Sequence, residues 1–185
     1  MKRLAEGIAF LAVGVIAGAA SAYFVIENTG ELSLGNGGPW SSRVESLTGD
    51  DALYVRAHFM MQGRLPPAPG QIDEATAETD SERQPLSGNC RYSIASTAQL
   101  PRWWSIAVMS KGSAASSLQS IASSDSVVHE SDGMAIIRAG ASPLPGNWLR
   151  TEASGRYVLL YSAVATGAQR LPGVPPFNIR REACQ

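Results

Sequence analysis

The chain has 185 residues, enough for one ordinary domain and an appendage, and its 15 Lys and Arg against 16 Asp and Glu leave a net charge of −1. No basic run occurs, so the clustered cations that neutralise phosphates are missing and no nucleic-acid partner is expected.

The first predicted element is the apolar run from Gly7 to Ile26, twenty residues without a charge. At about 1.5 Å of rise per residue such a helix is roughly 30 Å long, the thickness of a hydrocarbon core. Lys2 and Arg3 precede the run and Glu27 and Glu31 follow it. The positive-inside bias therefore puts the amino terminus in the cytoplasm and the remainder across the membrane. Residues 1–27 read as a cytoplasmic stub and transmembrane helix.

Two instructions compete within that run. Ala20-Ser21-Ala22 is a small-x-small triplet of the kind a signal peptidase cuts, which would release a secreted domain after Ala22. The run nevertheless continues through Tyr23-Phe24-Val25-Ile26, which a discarded peptide does not need and which gives an anchor its last turn and an interfacial aromatic. An uncleaved anchor is the expectation. Gly14 and Gly18 form a G-x-x-x-G pair, and Gly7 and Ala22 extend the same stripe. Small residues there let a neighbouring transmembrane helix approach closely, so the expected partners are the lipid bilayer and an integral membrane protein complex.

"NTGELSLGNGG", from Asn28 to Gly38, lacks periodicity and reads as a flexible tether, leaving 39–185 as the periplasmic domain. In "TGDDALYVRAHFMMQGR" Asp50 or Asp51 can cap a helix, Leu53, Ala57, Met60 and Met61 recur at helical spacing, and Gly63 can end it. That stripe is expected to lie against a sheet. Candidate strands follow at 72–78, 90–96, 103–110, 126–129, 134–138, 156–165 and 177–181, separated by turn-rich breaks such as "DSERQPLSGN" and "SPLPGN". The Ser/Ala-rich "KGSAASSLQSIASSDS" reads as a loop with weak structure. Seven short strands so punctuated predict a mainly β fold, a β-sandwich or jelly-roll-like domain with one short soluble helix.

Cys90 and Cys184 stand far apart, outside any C-x-x-C pair and away from clustered histidines. In an exported domain that makes a structural disulfide the expected state.

Several motifs fall in a recognisable order: Tyr54-Val55-Arg56-Ala57, Pro85-Leu86-Ser87-Gly88-Asn89-Cys90-Arg91-Tyr92, Trp103-Trp104-Ser105, Asn147-Trp148-Leu149 and the closing Cys184. Over residues 38–184 the chain resembles the bacterial family catalogued as domain of unknown function 1214. Its members carry a "D-x-x-G-x-P-L-x-G-x-C-x-Y" hairpin, a W-W-S strand, and an N-W-L-P turn before a strand ending in L-R-L-Y. The resemblance implies a β-sandwich-like envelope domain behind one membrane segment, with no established reaction, and its shared cysteine positions strengthen the disulfide reading. Two departures stand out: Arg150 replaces the proline after Asn-Trp-Leu, and Leu159 replaces the strand arginine, the most plausible anion-binding group there.

Chemistry-bearing residues are sparse. His129, Glu130 and Asp132 offer three ligand-type side chains in four residues, yet Asp132-Gly133 reads as a hairpin turn and adjacent strand residues face opposite sides. His58 follows Arg56 on the predicted helix without a nucleophile in a recognisable motif, which favours a packing role. "ETDSERQ" crowds acids but lacks EF-hand spacing and reads as a solvated hairpin tip. Of Trp103 and Trp104 one should enter the core and the other be exposed; with Arg102 and Trp148 they are the candidate interface. No cofactor, metal site or catalytic residue is expected. The sequence thus predicts a non-catalytic, single-pass accessory or assembly subunit of a larger inner-membrane complex, respiratory or photosynthetic assemblies suiting the compartment. The alternatives are an envelope hydrolase or small-ligand binder.

Overall fold

Tyr157, Leu159, Tyr161 and Ala163 are buried, while Val158, Leu160 and Ser162 between them are half-buried. That period of two marks a strand with one side facing a core, and it recurs through the computed structural model, which describes residues 2–28, 38–42, 52–61, 65, 70–97, 99–110, 118–166, 171 and 174–184. The elements are α1 (Lys2–Asn28), β1 (Trp40–Ser42), α2 (Ala52–Met61), β2 (Ile72–Ala77), β3 (Cys90–Ser96), β4 (Trp103–Ser110), β5 (Leu118–Ser123), β6 (Ile136–Gly140), β7 (Asn147–Arg150), β8 (Tyr157–Val164) and β9 (Phe177–Cys184).

The strands form two sheets, ordered β1-β2-β8-β4-β5 and β7-β6-β3-β9. All neighbours are antiparallel except β6 and β7, which run parallel. Inward residues of the first sheet, among them Ile106, Val108, Leu159 and Tyr161, meet Tyr92, Ile94, Ile137 and Ile179 of the second in a single buried cluster. The fold is therefore mainly β and sandwich-like, as the strand pattern predicts.

Both open sides of the sandwich are tied. On one, the Trp40 indole of edge strand β1 donates to the Phe177 carbonyl of edge strand β9 at 2.8 Å, and its ring meets Tyr161 edge-on at 6.0 Å. Trp104 and Phe177 rings, 5.1 Å apart, continue that aromatic cluster. On the other side β5 lies against β7, where the Arg150 N–H donates to the Ser120 hydroxyl at 3.1 Å. A proline at position 150, the residue in the family pattern, has no N–H to give. The departure at Arg150 thus supplies a tie between the two sheets.

Several expectations need correction. The Ser/Ala-rich stretch read as a loop contains β5, whose Ala122 is buried against β4. Residues 126–129 form no strand, only an isolated bridge between His129 and Ala135. Strands β1 and β7 were not expected, β6 is displaced to 136–140, and β9 runs on to Cys184. Helix α2 has α1 as its main packing partner among the described residues, and its Leu53, Met60 and Met61 are exposed instead of covered by a sheet. The tether residues 29–37, the proposed caps Asp50 and Asp51, and Gly63 lie outside the described residues.

Gly88 is fixed by space. A Cβ there would collide with the Glu152 carbonyl oxygen and the Ser154 amide, while the Gly88 N–H donates to the Gly155 carbonyl at 2.9 Å. Only glycine lets the two backbones approach this closely.

Candidate functional site

Alternation along β4 sends Trp104 inward, 4% exposed, and Trp103 outward, 48% exposed. Register then places Trp103 beside Val164 of β8, and Val164 beside Ile72 of β2, in one cross-strand row on the outer face of the five-stranded sheet. Val164 is itself 46% exposed. The Arg102 guanidinium lies 5.6 Å from the centre of the Trp103 ring, a cation–π contact. Sequence reading found Arg102 and Trp103 but missed Ile72 and Val164, because only strand register makes them neighbours.

Trp148 does not join this patch. Leu149 beside it is fully buried, so Trp148 faces the outside of the four-stranded sheet, where its indole donates to the Gly140 carbonyl at 2.9 Å. It borders a shallow groove with Ile121, Val128, Glu130, Arg138 and Asn147. Much of that groove's polar surface is engaged internally. Asn147 donates to the carbonyls of Val128 and Ile136, and Arg138 donates to that of Pro145.

The loop from Asp80 to Gln84 departs from a simple solvated tip. Ser81 to Pro85 are exposed, but Asp80 is 1% exposed. Its Oδ1 accepts the N–H groups of Glu82 and Gln84 at 3.0 and 2.8 Å. Its Oδ2 lies 3.1 Å from Nε of Arg181, close enough for an ion pair although the N–H does not point at the oxygen. Arg181 also donates to the Pro85 carbonyl at 2.8 Å and stands 5.6 Å from the Tyr92 ring centre. The carboxylate therefore organises a loop and binds it to β9; no cation is needed to explain it.

Within that loop Arg83 adopts φ 63°, where the family hairpin pattern has glycine. A side chain in the left-handed region costs about 1 to 2 kcal/mol. Arg83→Gly should accordingly raise stability, by up to about 1 kcal/mol after the greater chain entropy of glycine is counted. A thermal midpoint that falls would contradict this reading.

The remaining candidates carry little chemistry. His129 and Glu130 are exposed at a turn in which Gly133 has φ 81° and Asp132 accepts the Met134 N–H, the arrangement expected for Asp-Gly. The His58 side chain lies outside the described residues. Tyr157 and Tyr161 have hydroxyls without a hydrogen-bond partner among the described residues. Burial pushes the pKa of both well above the ordinary tyrosine range, aided by Tyr92 at Tyr157 and by Asp73 at Tyr161, so neither ionises near neutral pH. Leu159, standing where the family strand has arginine, is fully buried between the sheets. Among the described residues no group of three metal-ligating side chains occurs.

Cys90 and Cys184 are bonded, with Cα atoms 3.9 Å apart, and they close the β3–β9 pair at its end. Helix α1 includes a 21-residue stretch, Glu6–Ile26, with mean hydropathy 2.2 and no buried part, long and apolar enough to be a membrane span or a signal sequence. Gly7, Gly14 and Gly18 face open space, and Ala22 is exposed.

Fold and site together define a disulfide-closed two-sheet domain behind one apolar helix. A family model described as "Protein of unknown function (DUF1214)" matches residues 73–166, just over half of the chain, and the chain belongs to that family. The match is narrower than the resemblance over 38–184 and leaves out Tyr54 to Ala57 and Cys184. Two solved structures share the fold. One is an uncharacterized protein from Burkholderia cenocepacia, at 16% identity and a TM-score of 0.52, over 94% of this chain and 52% of that one. The other is the VPA0106 protein from Vibrio parahaemolyticus, at 14% identity and a TM-score of 0.60, over 96% of this chain and 46% of that one. The chain spans about half the length of each. No curated protein matches.

Proposed function

We propose that this protein is a non-catalytic accessory subunit of a larger bacterial inner-membrane complex, held by α1 with its amino terminus in the cytoplasm and presenting the sandwich in the periplasm. The observation that carries the reading is the pairing of an apolar helix exposed from Glu6 to Val25 with an exposed aromatic patch, Trp103 beside Val164 and under Arg102. An exposed tryptophan next to an arginine has the composition of a contact hot spot, whereas the buried tyrosines and the Asp80–Arg181 pair are built for structure.

The test is mild-detergent extraction through a carboxyl-terminal affinity tag, comparing the native chain with Trp103→Ala. Trp103 lies outside the core, so the variant should keep its thermal midpoint. Loss of a hot spot of about 2 kcal/mol weakens association roughly 30-fold, and the co-purifying proteins should drop out. An unchanged set of partners in unchanged amount would contradict the assignment of this patch.

A further inference from the structure

Helix α2 is apolar on two sides. Arg56 is its only charged residue. Phe59 is 4% exposed, buried on one side, while Leu53, Met60 and Met61 are 76%, 70% and 53% exposed, with Ala57 half-buried among them. Positions 53, 57, 60 and 61 share one side of an α-helix, and Leu65 beyond its end is 89% exposed. An apolar side of a helix avoids water; among the described residues nothing covers the side that carries Leu53, Met60 and Met61.

The position of α2 identifies what supplies it. The helix lies against α1. From Glu6 to Val25 α1 is exposed throughout, and it first becomes half-buried at Ile26. The contact therefore falls at the carboxyl-terminal end of α1, where the apolar run leaves the hydrocarbon. An apolar stripe continuous with that end of a membrane span shares its surroundings. We propose that α2 lies in the plane of the membrane interface on the side of the folded domain, with Leu53, Met60 and Met61 inserted among phospholipid acyl chains and Arg56 offering a cation to headgroup phosphates. Phe59 holds the helix to the protein, so α2 is a second, in-plane contact with lipid that fixes how the sandwich sits on the bilayer.

This inference rests on α1 spanning the membrane, and the experiment separates the two. Full-length protein carrying one new thiol, Val13→Cys, Leu53→Cys or Met60→Cys, is labelled with an environment-sensitive fluorophore, Cys90 and Cys184 being bonded to each other. It is then reconstituted into phosphatidylcholine–phosphatidylglycerol vesicles with bromines deep or shallow on the acyl chains. The label at 13 should lose emission to deep bromines, and the labels at 53 and 60 to shallow ones. Quenching at 13 with labels at 53 and 60 left in water would overturn the interfacial helix and leave the anchor standing. Labels at 53 and 60 shielded from water yet unquenched would mean a protein neighbour or a second copy covers the stripe, which also overturns it. Absence of quenching at 13 would overturn the anchor and, with it, this inference.

Discussion

Removing the disulfide by the double substitution Cys90→Ala and Cys184→Ala should lower the unfolding free energy by about 4 to 5 kcal/mol, the chain-entropy value for cross-linking a loop of this length. The two cysteines are 94 residues apart and lie directly across from each other at the end of the β3–β9 pair. The bond closes a loop that includes every strand of the sandwich from β3 onward. Its main action is on the unfolded chain, because the native strands are already paired: past a one-residue register shift after Arg91, Tyr92 pairs with Arg181 and Ile94 with Ile179. The double variant should therefore keep its fold and near-native sheet content at low denaturant. It should unfold at a much lower urea midpoint and with a steeper slope, because the unfolded chain without the cross-link exposes more surface. An unchanged midpoint would show that the bond does not form in the mature protein. The bond also requires an oxidising compartment, in keeping with a domain on the far side of the membrane.

Asp80→Ala should cost about 3 kcal/mol, the order found when a buried charge-assisted network loses one partner. The carboxylate accepts two loop N–H groups and faces the Arg181 guanidinium, which is about a third exposed and so partly rescued by water. Removing it frees the 80–84 loop and loosens the link to β9 made by Ser81, whose N–H donates to the Ile179 carbonyl at 2.8 Å. Asp80→Asn retains an acceptor for the two N–H groups and should lose only about 1 kcal/mol. Urea unfolding of both variants decides the matter. Equal losses would mean that the ion pair, and not the loop bonds, carries the stabilisation.

Much of the architecture is legible because burial and strand periodicity coincide. In β3, β4 and β8 large apolar or aromatic residues alternate with smaller or polar ones, and their limits are read to within a residue. The cysteine pair is legible for a different reason, since a chain with only two thiols has one pairing available. What escapes is what pairing alone decides. Strand β5 is Ser-rich and gains its structure from β4, while β1 and β7 are three and four residues long, too short to show a period. Val127 is buried without belonging to a strand, so its apolar neighbourhood misleads.

At the candidate site, alternation correctly divides Trp103 from Trp104, but proximity across strands cannot be read from a single chain of letters. Trp148, grouped with them by residue type, falls on the opposite sheet, and Val164 and Ile72 join the patch through register alone. Helix α2 fails in the most instructive way. Its periodic apolar stripe is real, yet periodicity marks only a side that avoids water. Whether protein or lipid covers that side depends on its neighbour, and here the neighbour is α1.

Whether α1 remains attached can be measured directly. Protein isolated from the membrane fraction after an alkaline wash, taken to intact-mass analysis and amino-terminal sequencing, should carry the residues of α1 ahead of the sandwich and keep the Cys90–Cys184 bond. A mature chain that begins at Tyr23 and is recovered in the soluble envelope fraction would contradict the anchor and every role assigned through it.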